Sequence, residues 1–390
     1  MTKCFPLFLC CLLLAGCGAK SVPAETALPS LPETTGATAP TIPETTAPEA
    51  TVPETVPPDP VRQMISDMSL EQRVGQLFLA RCNADTALVD IQNYHLGGLV
   101  LFGNDFENQT PDTVRQTLGA YQTAAEKPLL IAVDEEGGDV TRVSRFSAFR
   151  EKRFSSLRTR YDLGGLEATL AEEDEKCRLL SDLGINVNLG PVCDITTDPA
   201  AFMYTRSLGQ DAQTTAEVTA GIVNLMRDFR VGSVLKHFPG YGNNADTHTG
   251  IAVDSRPLSD FENQDFLPFS AGIQAGCGGI LVGHILVEAL DSELPASLSP
   301  AVHRYLRETL GFSGVIMTDD LVMQAITDQF GAGEAAVMAV LSGNDLLCST
   351  EYAVQYEAVL QAVLDGRIDI DVLNSAVRNV LEWKISLGLL

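Results

Sequence analysis

Basic residues are scarce in this chain: 26 lysines and arginines stand against 51 aspartates and glutamates, a formal charge of −25. That balance excludes the electrostatic footprint with which proteins hold nucleic acid and leaves no basic patch for a membrane surface. Paired cysteines are missing too. Of the nine, Cys4, Cys10, Cys11 and Cys17 crowd the N-terminus, while Cys82, Cys177, Cys193, Cys277 and Cys348 lie scattered through the body. An odd number without a Cys-x-x-Cys pair argues against both a disulfide framework and a zinc site, so these five read as small core residues. The chain also lacks a His-x-x-x-His helix and a phosphate-cradling glycine motif, so no metal and no organic cofactor is expected. His284 and Glu288 have the spacing of a helical metal pair, but His284 ends a predicted strand and reads as packing or as support behind a site.

Long apolar runs are absent except at the start, where Lys3 precedes an apolar stretch from Phe5 to Leu14 that closes on Leu14-Ala15-Gly16-Cys17. This pattern describes a secretory signal, too short to span a bilayer as a mature helix. A cysteine directly after Ala-Gly resembles the bacterial lipobox and implies lipidation of Cys17 after cleavage. Residues 1–17 are therefore expected to be a lipoprotein signal peptide, and the protein extracytoplasmic and lipid-anchored to the cell membrane. Residues 18–60 are dominated by Pro, Thr, Glu and Ala, with Pro-Glu-Thr at Pro32, Pro43 and Pro53. They have almost nothing apolar to bury and read as a disordered stalk, on the order of 130 Å long if extended.

Residues 61–390 are long for one ordinary domain but natural for a β/α barrel. Eight short apolar runs predict strands at Val74–Ala80, Gly97–Phe102, Leu129–Asp134, Ile185–Leu189, Gly232–Phe238, Gly279–His284, Gly314–Thr318 and Asn344–Cys348. They are apolar on both faces and separated by intervals that hold a helix, as over Thr214–Asp228, where Val218, Ile222, Leu225 and Met226 share a side. This is an α/β pattern, either a closed parallel (β/α)8 barrel of the TIM type or a doubly wound open sheet. In a barrel, reactive groups gather at the C-terminal strand ends. Asp134, Lys236, His237, His284 and Asp319 occupy such places.

The segment from Lys236 to His248 concentrates chemistry. A short strand breaks at Pro239-Gly240 into a Gly- and Asn-rich loop carrying Asp246 and His248. Two residues apart in an extended segment, they point the same way, so the carboxylate can hold the imidazole in one tautomer and raise its pKa. A histidine so placed is a candidate general acid/base; the bland alternative is a solvated surface histidine.

Lys236-His237-Phe238-Pro239-Gly240, followed by Asp246-Thr247-His248, resembles family 3 of the glycoside hydrolases, in its single-barrel β-N-acetylglucosaminidase branch. Further matching segments are Met68-Ser69-Leu70 with Val74-Gly75-Gln76-Leu77-Phe78, Asp134-Glu135-Glu136-Gly137-Gly138, Arg206-Ser207-Leu208-Gly209 and Ile316-Met317-Thr318-Asp319-Asp320-Leu321-Val322-Met323. The likeness spans roughly residues 61–390 and favours the barrel, as one catalytic domain. It implies that Asp319 is the nucleophile of a double displacement through a covalent glycosyl-enzyme. It also implies that His248, charged and positioned by Asp246, exchanges the proton, and that Asp134, Arg142, Arg206, Lys236 and His237 bind the sugar. Adjacent strand residues point oppositely, so only one of Asp319 and Asp320 is expected to face the mouth, and Asp320 reads as the N-cap of a helix starting near Leu321. Three departures touch specificity: Asp139 stands where the family usually has Arg, Tyr241 replaces a usual His, and the loop before Asp246 is about one residue short.

The resulting expectation is a monomeric exo-β-N-acetylglucosaminidase that hydrolyses terminal β-linked N-acetylglucosamine from cell-wall fragments. Its rivals are a glycoside phosphorylase, because an imidazolium repels phosphate less than a second carboxylate does, and a non-catalytic lipoprotein that binds cell-wall glycan. The set Asp319, Asp246 and His248 counts against the last.

Overall fold

A computed structural model describes residues 59–244 and 250–390, and Pro57–Leu390 forms one compact unit. The expected signal, Cys17 and nearly all of the stalk lie outside the described residues, as do Asp246 and His248.

Eight parallel strands form the centre: β1 (Phe78–Arg81), β2 (Gly98–Leu101), β3 (Leu130–Val133), β4 (Val187–Asn188), β5 (Gly232–Phe238), β7 (Gly279–Val282), β9 (Val315–Thr318) and β10 (Leu347–Ser349). Their order is β10-β1-β2-β3-β4-β5-β7-β9. The ring closes where Met317 pairs in parallel with Leu346 and the Thr318 N–H donates to the Leu346 carbonyl. This is the closed TIM-type barrel, not the open sheet. A separate parallel pair, β6 (Val253–Asp254) with β8 (Leu286–Val287), ties the chain returning from the β5 loop to the segment after β7.

All eight expected runs overlap a strand, but the first and the last begin late and their strands end one residue beyond the run. Residues 70–75 instead form a helix, set by a capping box in which Ser69 and Gln72 satisfy each other's backbone N–H groups. Ser-x-x-Gln at 69–72 is the local signal that overrides the apolar run there. The predicted helix over Thr214–Asp228 spans Ala212–Asp228, with Asp211 as N-cap.

The barrel interior is filled by Leu79, Val100, Leu130, Ala132, Val187, Val234, Leu281, Val315, Met317 and Leu346. Trp383, from the C-terminal helix Ile370–Ser386, closes the floor beneath them. Its ring lies so near Gly278 and Gly232 that a Cβ on either would sit 2.0 and 2.7 Å from it, so both positions need the missing side chain. The five body cysteines are buried and free, as a core reading requires. With the floor packed, the open end of the barrel is the end where the strands finish.

Candidate active site

At that end a cavity of about 540 Å³ is lined by Asp134, Arg142, Arg206, Lys236, His237 and Asp319, together with Arg81, Phe102, Phe202, Tyr241, Asp320 and others. Every expected sugar-binding residue and the expected nucleophile therefore meet in one place.

Asp134 follows β3, and its two oxygens face different cations: Oδ1 accepts from Lys236 Nζ at 2.6 Å, and Oδ2 lies 3.6 Å from Arg142 Nη2. Glu136, two residues further on, lies 2.6 Å from Lys236 Nζ through Oε1. It also takes a two-pronged contact from Arg206, with Nη2 to Oε1 at 2.7 Å and Nε to Oε2 at 3.0 Å. Burial pushes the Glu136 carboxyl up, but Lys236 and Arg206 outweigh it and hold the group well below the usual carboxylate range. Lys236 shows the mirror image: burial works against its charge, while Asp134 and Glu136 raise its pKa and keep it an ammonium. Glu135 points the other way and is fully buried. It accepts backbone N–H groups of Arg142, Val143 and Ser144 and so folds the loop that delivers Arg142.

His237 is set from behind by Asp194, a residue that sequence reasoning missed. Asp194 Oδ2 takes the His237 N–H at 3.1 Å and pairs with His237 Nδ1 at 2.8 Å, while Oδ1 takes the Tyr241 N–H at 2.8 Å. A carboxylate only accepts, so Nδ1 donates, and Nε2, 3.2 Å from Arg206 Nη2, is left to accept. Lys236 and His237 both reach the cavity because the β5–β7 register shifts between Leu235 and Phe238, a bulge that breaks strict alternation. Tyr241, at the place of the family's usual His, packs edge-on against the His237 ring at 5.3 Å and lines the cavity. Asp139, another of the three departures, is exposed and outside the lining.

Phe102 carries two guanidinium groups, Arg81 at 4.0 Å and Arg142 at 5.3 Å from the ring centre. Arg81 was not foreseen, because nothing near it marks an arginine at the end of β1 as more than a surface charge.

Two expectations about the nucleophile segment need correction. Asp319 and Asp320 both line the cavity, because β9 ends at Thr318 and alternation no longer governs them. Asp320 caps no helix at Leu321: the next helix starts at Gln324 with Met323 before it. Its carboxylate instead accepts the Val322 N–H at 3.2 Å inside a turn and holds Thr350 after β10. His284 is wholly buried and bonded to Ser297 Oγ and the Asp320 carbonyl, which agrees with a supporting role. Among the described residues no cluster of ligands suits a metal ion.

A parallel eight-stranded barrel with buried carboxylates and cations at its C-terminal mouth is the architecture of a barrel enzyme whose site is built at the strand ends. Residues 69–383 match the model of the glycosyl hydrolase family 3 N terminal domain, so the chain belongs to this family and is a glycoside hydrolase. It is 31% identical over 330 residues to Beta-hexosaminidase LpqI of Mycobacterium tuberculosis, covering 81% of this chain and 83% of that one. It is 35% identical over 298 residues to a Beta-hexosaminidase of Stenotrophomonas maltophilia, covering 71% and 85%. Among solved structures, a family 3 beta-N-acetylglucosaminidase from Paenibacillus superposes with a TM-score of 0.77 at 31% identity over 83% of this chain. The present chain spans only 63% of that longer protein. M. tuberculosis LpqI superposes with a TM-score of 0.76 at 28% identity, covering 83% of this chain and 96% of that one.

Proposed function

We propose that this protein is a retaining exo-β-N-acetylglucosaminidase that releases terminal β-linked N-acetylglucosamine from peptidoglycan fragments. The observation that carries the reading is the placement of Asp319. It follows β9, on the far side of the ring from β3 and Asp134, and shares one cavity with Asp134, Lys236 and Arg206, the last two held by Glu136. A sugar gripped there by its hydroxyls leaves its anomeric carbon for Asp319 to attack. The bond between that carbon and the glycosidic oxygen breaks as the carbon–Asp319 ester forms, and water later releases the sugar. His248, charged by Asp246, gives its proton to the leaving oxygen and then takes one from the water. The relatives named Beta-hexosaminidase support the choice of sugar.

The peptidoglycan part rests on Arg81. It lines the cavity, stacks on Phe102, and makes no hydrogen bond or ion pair with any other described residue. A guanidinium left open in this way suits a carboxylate such as the lactyl group of muramic acid. The lipobox-like Leu14-Ala15-Gly16-Cys17 supports a lipid tether on Cys17 that would hold the enzyme, in this reading a monomer, at the outer face of a membrane near such material. Fractionation of cells expressing the full chain then finds activity with the membranes; soluble activity overturns the anchor.

The deciding experiment supplies an aryl β-N-acetylglucosaminide with and without phosphate and follows the first-formed anomer by NMR. Free sugar of retained configuration is expected, with Asp319→Asn slower by about three orders of magnitude or more while still folded. Sugar 1-phosphate makes the enzyme a phosphorylase, inverted product removes the covalent step, and binding without turnover makes the barrel a recognition module.

A further inference from the structure

The carboxylate of Asp319 is itself oriented by a neighbour: its Oδ1 accepts the Asp320 N–H at 2.9 Å. That hydrogen bond is only as fixed as Asp320, and Asp320 is gripped from both sides. β9 lies between β7 and β10, and each flank sends a donor across. From the β7 side, His284 Nε2 meets the Asp320 carbonyl at 3.0 Å. A carbonyl only accepts, so Nε2 bears the hydrogen, and Nδ1 pairs with Ser297 Oγ at 2.7 Å. From the β10 side, Thr350 Oγ1 donates to Asp320 Oδ2 at 2.5 Å and the Thr350 N–H to Oδ1 at 3.2 Å. His284 and Ser297 are wholly buried, whereas Thr350 is exposed.

We propose that His284 and Thr350 are positioning residues for the nucleophile, acting through Asp320, whose N–H they hold against the Asp319 carboxylate. The inference rests on the reading of Asp319 as nucleophile. Two consequences separate it from a merely structural brace. A displaced N–H lets the carboxylate swing from its line of attack, which slows formation of the glycosyl-enzyme equally for good and poor leaving groups, because the proton donor is untouched. Loss of a donor to the ionised form also raises the pKa of the nucleophile, so the acid limb of the rate profile moves to higher pH.

Thr350→Val removes the hydroxyl from an exposed site and leaves the core intact. It is expected to lower kcat/KM about tenfold on aryl glycosides across a range of leaving-group pKa, with the acid limb shifted upward and the melting temperature unchanged. Thr350→Ser restores the donor and both readouts. His284→Gln, which offers an N–H where Nε2 stood, keeps more activity than His284→Leu. The proposal is overturned if Thr350→Val retains wild-type kcat/KM, if only KM rises while the acid limb stays in place, or if Ser does not rescue. Failure of the underlying reading looks different: wild type then turns over no β-N-acetylglucosaminide, or Asp319→Asn stays active, and the positioning role falls with it.

Discussion

Two lysines are almost completely withdrawn from solvent at opposite ends of this barrel, and they are treated in opposite ways. Lys236, at the mouth, is 2% exposed and sits between Asp134 and Glu136, which raise its pKa. Lys384 lies beside Trp383 at the floor, is 0% exposed, and among the described residues donates only to the neutral Gln76 Oε1 at 2.7 Å. Burial, with a smaller push from Lys127, lowers its pKa to about 7. The contrast shows what a buried charge demands: partners that repay its lost hydration keep it charged, and without them the proton leaves instead. The mouth keeps its cation between two carboxylates. The floor has no evident use for one.

The largest expected effect therefore comes from breaking the mouth. Lys236→Met strands Asp134 and Glu136 with fewer cations, and removal of one partner from a buried pair costs about 3–5 kcal/mol. We expect kcat/KM to fall by about two to three orders of magnitude and the melting temperature to drop, measured by steady-state kinetics and calorimetry. A variant as stable as wild type removes the distinction between the two lysines.

Lys384→Met is expected to do the reverse. The unfolded chain takes up the proton below the ordinary lysine value of 10.5, while the folded chain takes it only near 7. Between these limits the unfolded state binds more protons, so this group makes wild-type stability rise with pH from about 7 to about 10.5. Methionine abolishes that slope. Even with Gln76 Oε1 left unpaired, a melting temperature about 5 °C higher at pH 7 is expected, a gain that vanishes towards pH 10.5. Thermal melts of both proteins at several pH values check it; a constant difference across the range excludes Lys384 as the titrating group.

The smallest effect belongs to the mouth again. Arg81→Gln should leave hydrolysis of a neutral β-linked N-acetylglucosamine disaccharide within about twofold and lower kcat/KM about tenfold for one whose second sugar carries a lactyl carboxylate. Equal losses on both make Arg81 a general wall of the site.

Much of the fold was legible because strands buried on two faces are written as uninterrupted apolar runs, and each of the eight runs overlapped one. β6 and β8 leave no separate pattern: Val253–Asp254 pairs an exposed valine with a buried aspartate, and Leu286–Val287 follows directly on the run of β7. In the site, the residues carried over from the family's motifs and lying within the described chain all reached the cavity. Glu136 was not foreseen: it lies beyond the end of β3, where alternation no longer governs, and only its contacts with Lys236 and Arg206 reveal it. Nor was Asp194, since its importance lies in a contact with His237, 43 residues away. Asp320 was misread because an acidic residue before an apolar segment signals a cap equally well for a helix and for a tight turn.

The tryptophan that closes the barrel floor is the chain's only one, and it is 5% exposed. All indole fluorescence of this protein therefore comes from a single position enclosed by Gly232, Gly278 and the converging strand starts. Its emission is a private reporter of whether the bottom of the barrel is shut. Because the cavity opens at the other end, substrate can come and go in the dark, and a change in that signal means the scaffold itself has loosened.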